Sequence, residues 1–568
     1  MRKRTVSPLE PLRRLRDWYW KKKYFLVGRL LGRRDIEADF SRRGLLAIQI
    51  DGLSYEMLRQ AMQSGYCPFL RRLLRRRFSL RRYNCGFPGN TPAAHAALFY
   101  NARNAIPGFR WYERDTGDRI NFFNPIDAGI VEARLNQSTE PALLEGGSSY
   151  ANTFSGKARR AVLCYGSATD SNYVRKLRGF HILFIMLLNI VPIVRAAILS
   201  AIELLAEVYE WLFAALKHWR QRVEFFFPIT RIVEGVWVQE IVTQGAMLEI
   251  VRGSPAIFVT YLSYDSNAHQ RGCNRPIVLR KLVSIDRRLR RIVRLAQRRI
   301  IRTYDVYILS DHGQTPSEPF LHKYGEELEE YIQRVLNVPP GAPPPPLPEP
   351  ASFVSLLLRS LQPYERSVAR AVPWVLRKFR QFVVRRAGTE PAASIGRGRL
   401  VVAPSGPMAH VYLPSRTRLS DADINSRYPQ LIAALLQHPG IGIVATVQDG
   451  TLILRSRSGE ALVTEGEFIE RGNPLKGIEE KMRIAMDIRR VSLHQHAGDL
   501  IVFGAYSDNF VINFEHQMSA HGGIGGQQQS AFIFYTRALR AAGRIQSLED
   551  IRSMMLRTRQ TVDRPYGR

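Results

Sequence analysis

Side chains that commonly bind metal ions follow three apolar runs of this sequence, at 45–50, 256–262 and 304–309. These side chains are Asp51, Asp265, His269, Asp311 and His312. Carboxylate oxygens combined with imidazole nitrogens suit a divalent metal ion better than any other ligand. We therefore predict that these residues, although far apart in sequence, form one metal site.

The three apolar runs must be placed so that their polar ends meet. Each run has the length and the β-branched content of a buried strand. In an open parallel sheet, functional groups collect just beyond the carboxyl ends of the strands. The sequence therefore predicts an α/β fold in which three parallel strands bring these side chains to one edge of a sheet.

Thr91 is a candidate nucleophile. It follows Asn90 and precedes Pro92 and a stretch of helix-forming composition at 93–99. The N–H groups and the dipole at a helix N-terminus favour an anion. A hydroxyl placed there and bound to a metal ion can ionise and attack phosphorus. Taken alone, Thr91 is better explained as a helix cap, but the neighbouring motifs favour the nucleophile.

A further metal ligand is predicted near the C-terminus. His521 is followed directly by Gly522 and Gly523, and a histidine in such a loop can approach a metal ion closely. His516 lies in the same segment without flanking glycines, so it is either a supporting group or an ordinary surface residue.

Taken in order, these motifs resemble the alkaline phosphatase superfamily, specifically its nucleotide pyrophosphatase/phosphodiesterase-like (type I phosphodiesterase) branch. The matching positions are Asp51-Gly52, Thr91, Asp265-x-x-x-His269-x-x-Gly272, Asp311-His312-Gly313 and His521-Gly522-Gly523. They extend over most of the chain and leave out 179–225 and 337–399. The resemblance implies an alkaline-phosphatase-like, doubly wound, mostly parallel sheet with helices on both faces. To this fold we add helical, membrane-associated insertions.

The resemblance also implies two divalent metal ions, for which we expect zinc, with manganese as the alternative. One ion would be held by Asp51, Thr91, Asp311 and His312, and the other by Asp265, His269 and His521. The implied activity is hydrolysis of a phosphoric ester, with Thr91 forming a phosphothreonine intermediate.

The sequence departs from the family in the predicted phosphate site. Phosphodiesterases of this branch often place an Asn shortly after the nucleophile helix, but residues 106–112 contain none. Arg110 could bind the phosphate instead, and we add Asn90 as a second substrate-binding residue. The preference for a monoester or a diester therefore stays open. The segment 85–89 does not provide the modified-cysteine motif of sulfatases, so sulfate ester hydrolysis is not expected.

The formal net charge of +32 indicates an anionic partner. The positive charge is concentrated in residues 1–43 and 351–399. No helix-turn-helix, zinc finger or RNA-binding motif is present, so sequence-specific binding of nucleic acid is not expected. The four cysteines show no paired metal-type spacing, which favours a reducing compartment. The expected partners are a phosphate-ester substrate and an anionic membrane surface, and the oligomeric state is left open.

Two apolar runs, at 180–194 and 196–216, suggest contact with a membrane. Pro192 and Arg195 interrupt them, and the first run is shorter than the roughly 20 residues of a spanning helix. We expect a helix pair that lies in the membrane interface or re-enters it, with a soluble lid or a spanning hairpin as alternatives. No secretory signal is visible. The positive charge therefore favours the cytoplasmic face of a bacterial inner membrane.

The chain divides into seven predicted regions, three of which together build the catalytic core. They are a basic N-terminal arm or interfacial anchor (1–43), the first core segment (44–178), an apolar helical insertion associated with the membrane (179–225), the second core segment (226–336), a proline-rich linker with basic amphipathic helices (337–399), the third core segment (400–535) and a C-terminal helix and tail (536–568).

Two other functions are compatible with the sequence. A phosphoglycerol or phosphoethanolamine transferase of the same superfamily would share the intermediate and differ only in the acceptor. A non-catalytic, basic, membrane-binding scaffold would have lost metal ligands, whereas this chain retains every expected one. We therefore expect a hydrolase.

Overall fold

The computed structural model describes residues 42–76, 78–167, 190–216, 231–298, 301–338, 399–507, 510–537 and 545–561, and the single residues 18, 22 and 26. Apart from these three residues and a few at the boundaries, the predictions for 1–43 and 337–399 lie outside the described residues.

The strands are β1 Gly44–Ile50, β2 Phe78–Asn84, β3 Arg110–Glu113, β4 Asp118–Asn121, β5 Ser148–Tyr150, β6 Arg160–Val162, β7 Ala256–Tyr261, β8 Tyr304–Leu309, β9 Thr315–Pro319, β10 Val401–Ser405, β11 Met408–Tyr412, β12 Ile441–Gln448, β13 Thr451–Ser456, β14 Gly459–Val463, β15 Phe468–Gly472, β16 Leu500–Gly504, β17 Tyr506–Ser507, β18 Phe510–Asn513, β19 Ser519–Ala520 and β20 Ser530–Thr536.

The α-helices are α1 Tyr55–Gln63, α2 Pro68–Arg76, α3 Thr91–Tyr100, α4 Pro125–Leu135, α5 Ile190–Leu216, α6 Gln239–Arg252, α7 Ser263–Arg271, α8 Pro276–Leu279, α9 Lys281–Ala296, α10 Phe320–Tyr324, α11 Leu328–Leu336, α12 Asp421–Arg427, α13 Leu431–Gln437, α14 Lys481–Ser492 and α15 Leu548–Gln560. A 3₁₀ turn lies at Arg103–Ala105, and a π-helix at Val233–Val238 leads into α6.

The main sheet has the strand order β2-β20-β8-β1-β7-β5-β6. Strands β8, β1, β7, β5 and β6 are parallel, and β20 pairs antiparallel with β8 and β2. Gln49 of β1 is paired with Thr260 of β7 and with Leu309 of β8, so the three strands end side by side. The predicted mostly parallel α/β sheet is confirmed.

Helices cover both faces of this sheet, because successive residues of a strand point to opposite faces. Leu46, Ile48 and Ile50 of β1 pack with side chains of α6 and α9. Leu45 and Ala47 pack with α3 and α15 on the other face. Strand β1 is buried along its whole length, and the predicted doubly wound arrangement is confirmed.

A second sheet is antiparallel, with the order β10-β11-β16-β12-β13-β14-β15. The turn between β12 and β13 is Asp449-Gly450, with φ angles of 48° and 76°, as expected for a tight hairpin. The structure therefore divides the predicted third core segment. Residues 401–504 build this separate sheet, and β20 returns to the main sheet. Apolar alternation identifies strands but does not specify which sheet they join.

The apolar insertion is described over one helix, α5, and its remaining residues lie outside the described regions. Helix α5 runs without a break through Pro192 and Arg195, which were expected to separate two segments. No helix of the described residues combines the length and the low polarity that crossing a bilayer requires.

Candidate active site

The turn after β1 places the first carboxylate. Asp51 follows the last residue of the strand, and its N–H donates to the carbonyl of Tyr261 at 3.1 Å. Gly52 has a φ of 67°, and its N–H donates to Asp311 Oδ1 at 3.3 Å. A Cβ on Gly52 would lie 2.0 Å from Asp265 Oδ1. Only glycine therefore allows the three carboxylates to come this close.

Thr91 is the first residue of α3, which Asn90 caps by accepting a hydrogen bond from the N–H of Ala93 at 2.9 Å. Thr91 Oγ1 lies 3.2 Å from Asp51 Oδ1 and 3.2 Å from His312 Nε2. The hydroxyl thus stands at a helix N-terminus and touches two predicted metal ligands.

Helix α7 carries Asp265 and His269 four residues apart, so both side chains lie on one face. His269 Nε2 is 3.1 Å from Asp265 Oδ2. Gln314 Nε2 donates hydrogen bonds to the side chain and to the main-chain carbonyl of Asp265. Sequence reasoning missed Gln314, although its position directly after Asp311-His312-Gly313 was a usable signal.

The three histidine rings form a compact group. His312 and His521 are stacked, with ring centroids 3.8 Å apart, and the centroids of His269 and His521 are 5.0 Å apart. Gly522, with a φ of 91°, follows His521 directly. The loop after β19 thereby reaches the edge of the main sheet.

Backbone carbonyls fix the tautomer of each ring. The Nδ1 atoms of His269, His312 and His521 lie 2.8, 3.1 and 3.0 Å from the carbonyls of Ser519, Gly313 and Gly89. Because a carbonyl only accepts, each Nδ1 carries the proton and each Nε2 presents a lone pair. Metal-binding histidines are oriented in this way.

Two groups of side chains could each hold one ion, with the ligand atoms of each group within 4.8 Å of one another. They are Asp51, Asp311 and His312, and Asp265, His312 and His521. His312 belongs to both groups. His269 completes the second set through its contact with Asp265, so the structure brings all seven predicted ligands together.

The buried carboxylates of the site lie close together and would be stabilised by a bound cation. Burial, reinforced by the charges of Asp311 and Asp265, holds the pKa of Asp51 well above its usual range. Burial also lowers the pKa of His521, with His312 adding to the effect. Among the described residues, no group donates a hydrogen bond to the buried Asp311 Oδ2. Carboxylates and lone pairs collected without enough donors fit divalent metal ions.

The ligands open into a pocket of about 880 Å³, measured with its open mouth. One wall is aromatic and includes Phe109, Phe122, Phe123 and Tyr165. The turn between β10 and β11 supplies another wall through Gly406 and its neighbour, so the second sheet helps to close the pocket. No motif in the sequence indicated these aromatic residues as a group.

The two predicted substrate residues differ in placement. Asn90 lines the pocket and is buried, and no described residue accepts a hydrogen bond from its Nδ2. Arg110 forms an ion pair with Glu515, which lines the pocket, and donates to the carbonyl of Pro404 at 3.1 Å. Phe109 lines the pocket in the segment where relatives often carry an Asn.

A mostly parallel sheet with carboxylates, imidazoles and a hydroxyl at its carboxyl edge defines an α/β protein with a candidate metal centre. The profile of the family "Type I phosphodiesterase / nucleotide pyrophosphatase" matches residues 45–338, more than half of the chain. The chain belongs to this family and is an enzyme that hydrolyses phosphoric ester bonds.

Several solved structures are similar to this chain. Phosphonoacetate hydrolase from Sinorhizobium meliloti 1021, solved with phosphonoacetate, is 14% identical with a TM-score of 0.41, covering 91% of this chain and 96% of its own. Inactive murine ectonucleotide pyrophosphatase/phosphodiesterase 5, solved with AMP, is 10% identical with a TM-score of 0.42, and the match covers 92% of this chain and 97% of the murine chain. The alkaline phosphatase PafA is 12% identical with a TM-score of 0.46, and the match covers 91% of this chain and 96% of the PafA chain. No curated protein matches the sequence.

Proposed function

We propose that this enzyme hydrolyses a phosphoric ester by using Thr91 as the nucleophile, with two divalent metal ions. The observation that carries the proposal is the position of Thr91 Oγ1, 3.2 Å from both Asp51 Oδ1 and His312 Nε2. A hydroxyl that only caps a helix would accept a bond from its own helix, but Asn90 already makes that bond.

The residues suggest a reaction in two halves. Thr91 Oγ1 gives its proton to water and attacks phosphorus, the bond from phosphorus to the ester oxygen breaks, and the alcohol leaves with a proton taken up from water. Water then attacks the phosphothreonine and gives up a proton, the bond from phosphorus to Thr91 Oγ1 breaks, and the Thr91 oxygen regains a proton. Each half replaces one ester oxygen at phosphorus, so a covalent intermediate links them.

The proposed metal ligands fall into two sets. Asp51, Asp311 and His312 would hold one ion next to Thr91, and Asp265, His269 and His521 would hold the other. When bound, such ions supply the positive charge that acidifies a hydroxyl and neutralises phosphoryl oxygens. Zinc is the proposed metal because imidazole and carboxylate ligands suit it, and manganese is the alternative.

The phosphoryl group would bind at the N-terminus of α3. Asn90 Nδ2 is a buried donor that lines the pocket, and we propose that it donates to a phosphoryl oxygen. Helix N-termini bind anions through their N–H groups and dipole. Arg110 would act from beside the pocket, where its pairing with Glu515 keeps it close.

The cellular setting is included in the proposal. We propose that the enzyme works at an anionic membrane, on the cytoplasmic face of a bacterial inner membrane. The support for this location is the formal net charge of +32, which favours anionic surfaces.

Substitution of Thr91 tests the chemistry. In metal-loaded protein, Thr91→Ala should lower kcat/KM for bis(p-nitrophenyl) phosphate or p-nitrophenyl phosphate by about a thousandfold or more, since the covalent route is lost. Thr91→Ser, which keeps a hydroxyl, is the matched control and should retain much of the activity. Elemental analysis should find two ions per chain, and chelation should abolish turnover.

Activity that survives both chelation and Thr91→Ala would refute the proposal. Products formed with and without an added alcohol separate hydrolysis from transfer, because a transferase would give a new phosphodiester.

A further inference from the structure

Helix α5 exposes an apolar stripe along one side. The stripe consists of Val191, Val194, Ile198, Ile202 and Leu205, each between 50% and 72% exposed. These residues are three or four positions apart, so they follow one face of the helix. Large apolar side chains that share an exposed face mark a surface for interaction.

The opposite side of α5 is fixed to the protein. Ala196 is buried, and Ser200 Oγ accepts a hydrogen bond from Trp237 Nε1 at 3.1 Å. Glu203 accepts from Arg231 Nε at 2.7 Å and from Lys281 Nζ at 2.6 Å. Rolling the helix to bury the stripe would break these contacts, so the stripe faces outward as a feature of the fold.

The surface next to α5 is cationic. Glu203 of α5 forms an ion pair with Lys281, the first residue of α9, so the two helices are in contact. Helices α9 and α2 pack together, and their only acidic residue is the buried Asp286. Their exposed arginines are Arg71, Arg72, Arg75, Arg76, Arg287, Arg290 and Arg294.

The sequence at the ends of α5 has a similar character. In the sequence, Lys217, Trp219 and Arg220 follow Leu216, the last described residue of α5, and Arg175, Lys176 and Arg178 precede Ile190 by 12 or more residues. Aromatic and cationic residues that flank an apolar segment in sequence are typical of segments that lie in a membrane interface.

We propose that the apolar stripe of α5 docks on the surface of an anionic lipid bilayer and presents the pocket to the phosphoric ester of a lipid headgroup. The apolar side chains would enter the boundary between headgroups and acyl chains. The neighbouring arginines would bind anionic headgroups within a Debye length of the surface.

The π-helix at Val233–Val238 connects this face to the pocket. Trp237 contacts α5 from this helix, and Glu234 of the same helix lines the pocket and accepts a hydrogen bond from Ser266. The π-helix therefore contacts the helix that carries the stripe and also borders the pocket, so the docking face and the pocket lie on neighbouring elements. This choice of substrate rests on the proposed function.

A second copy of the chain is a weaker occupant. The spacing of the stripe would also suit a helical partner. An isologous pair, however, brings the same surface of each copy together, so the arginines of α9 and α2 would face their own counterparts. An anionic bilayer pairs with these charges instead.

Vesicle sedimentation tests the proposal with the full chain. Vesicles of 3:1 phosphatidylcholine and phosphatidylglycerol should bind the wild-type protein at least tenfold more than pure phosphatidylcholine vesicles do. Ile198→Asp combined with Ile202→Asp should reduce that binding at least tenfold. Met482→Asp on α14, with similar exposure, is the matched control and should bind as wild type does.

Two activity measurements separate this proposal from the proposed function. The double variant should lose hydrolysis of vesicle phospholipid at least tenfold but keep wild-type turnover of a soluble aryl phosphate ester. Failure of soluble turnover in the wild type would overturn the proposed function and leave the binding result standing.

Unchanged vesicle binding in the double variant would overturn the docking proposal. So would a change from dimer to monomer in sedimentation equilibrium without a change in vesicle binding, because a second copy would then cover the stripe.

Discussion

At the residue scale, the site depends on which nitrogen of each histidine carries a proton. His269, His312 and His521 all donate through Nδ1 to backbone carbonyls, so their Nε2 atoms are directed inward. Two of these carbonyls belong to residues hundreds of positions away in sequence. The direction of these lone pairs is thus fixed by tertiary contacts. The free energy needed to order the three rings is therefore spent during folding and not when a ligand binds.

Gln314 is predicted to support the site through Asp265. Gln314→Leu keeps the packing volume but removes the hydrogen bonds that orient the carboxylate. The loss of such a supporting contact should weaken metal affinity about 10- to 100-fold. Competition with a chelator, followed by metal analysis, measures the change.

Asp265→Asn is the reference variant against which the loss of metal affinity in Gln314→Leu is compared. It alters a proposed ligand directly, so it should weaken metal binding more than Gln314→Leu does. Wild-type affinity in Gln314→Leu would show that the contact has no role in holding Asp265.

At the element scale, one turn decides whether three carboxylates can meet. Strand β1 lies between β7 and β8. Asp51, just after β1, therefore lies close to Asp265, which follows β7, and to Asp311, which follows β8. Gly52 then turns the chain with a left-handed φ, where a side chain would overlap Asp265. The parallel order of the strands brings the groups to one edge, and the turn sets their spacing.

Gly52→Ala should damage this spacing. The new Cβ would lie 2.0 Å from Asp265 Oδ1 in a backbone conformation with a φ of 67°. The left-handed conformation costs about 1–2 kcal/mol in stability, and displacement of Asp265 should lower kcat/KM at least tenfold. Urea unfolding and steady-state kinetics on an aryl phosphate ester measure the two effects.

Gly450→Ala is the control for Gly52→Ala. Gly450 has a φ of 76° in the hairpin of the second sheet, and nothing lies within 4 Å of its Cβ position. It should show a similar loss of stability with unchanged kcat/KM. Equal losses of activity in the two variants would mean that strain, rather than contact with Asp265, is responsible.

At the scale of the whole molecule, the second sheet is joined to the main sheet and its helices beside the pocket. Ser405 Oγ accepts from the N–H groups of Phe109 and Arg110 at 3.1 and 3.0 Å. His410 Nε2 lies 3.1 Å from the carbonyl of Pro107, and its Nδ1 accepts from Gly498 N–H at 3.2 Å. His410 is therefore neutral, with its proton on Nε2, and it contacts both halves of this junction.

Stability should fall in acid because His410 is buried and neutral. Burial lowers the pKa of His410 from 6.5 to about 4. In the unfolded chain this histidine binds a proton near pH 6.5, whereas in the folded protein it stays neutral until about pH 4. The contribution of neutral His410 to the free energy of unfolding is therefore complete above pH 6.5 and is lost as the pH falls toward 4. Between pH 7.5 and 5 the loss is roughly 2 kcal/mol.

Urea unfolding between pH 7.5 and 5 measures this loss. His410→Gln, which has no titrating group, should be less stable at pH 7.5 but show a shallower decline in acid. Other buried histidines add to the decline in both proteins. Parallel curves for the two proteins would exclude His410 as a source of the acid sensitivity.

The sequence was most informative where function depends on local chain direction. Strands β1, β7 and β8 were readable from apolar runs, and the turn Asp449-Gly450 from its residue types. The predicted break at Arg195 was wrong, since α5 is continuous there. A charged residue interrupts an apolar run in the sequence without interrupting a helix. The separate sheet at 401–504 was missed, since strand patterns do not name their partners.

What the sequence determined by itself was the set of chemical groups and their order along the chain, because most of them stand just after a strand or at the start of a helix. Only the tertiary structure decided that His312 lies between both groups of ligands, that Gln314 holds Asp265, and that the second sheet walls the pocket. These arrangements depend on contacts between distant segments, and local residue preferences carry no information about such distances.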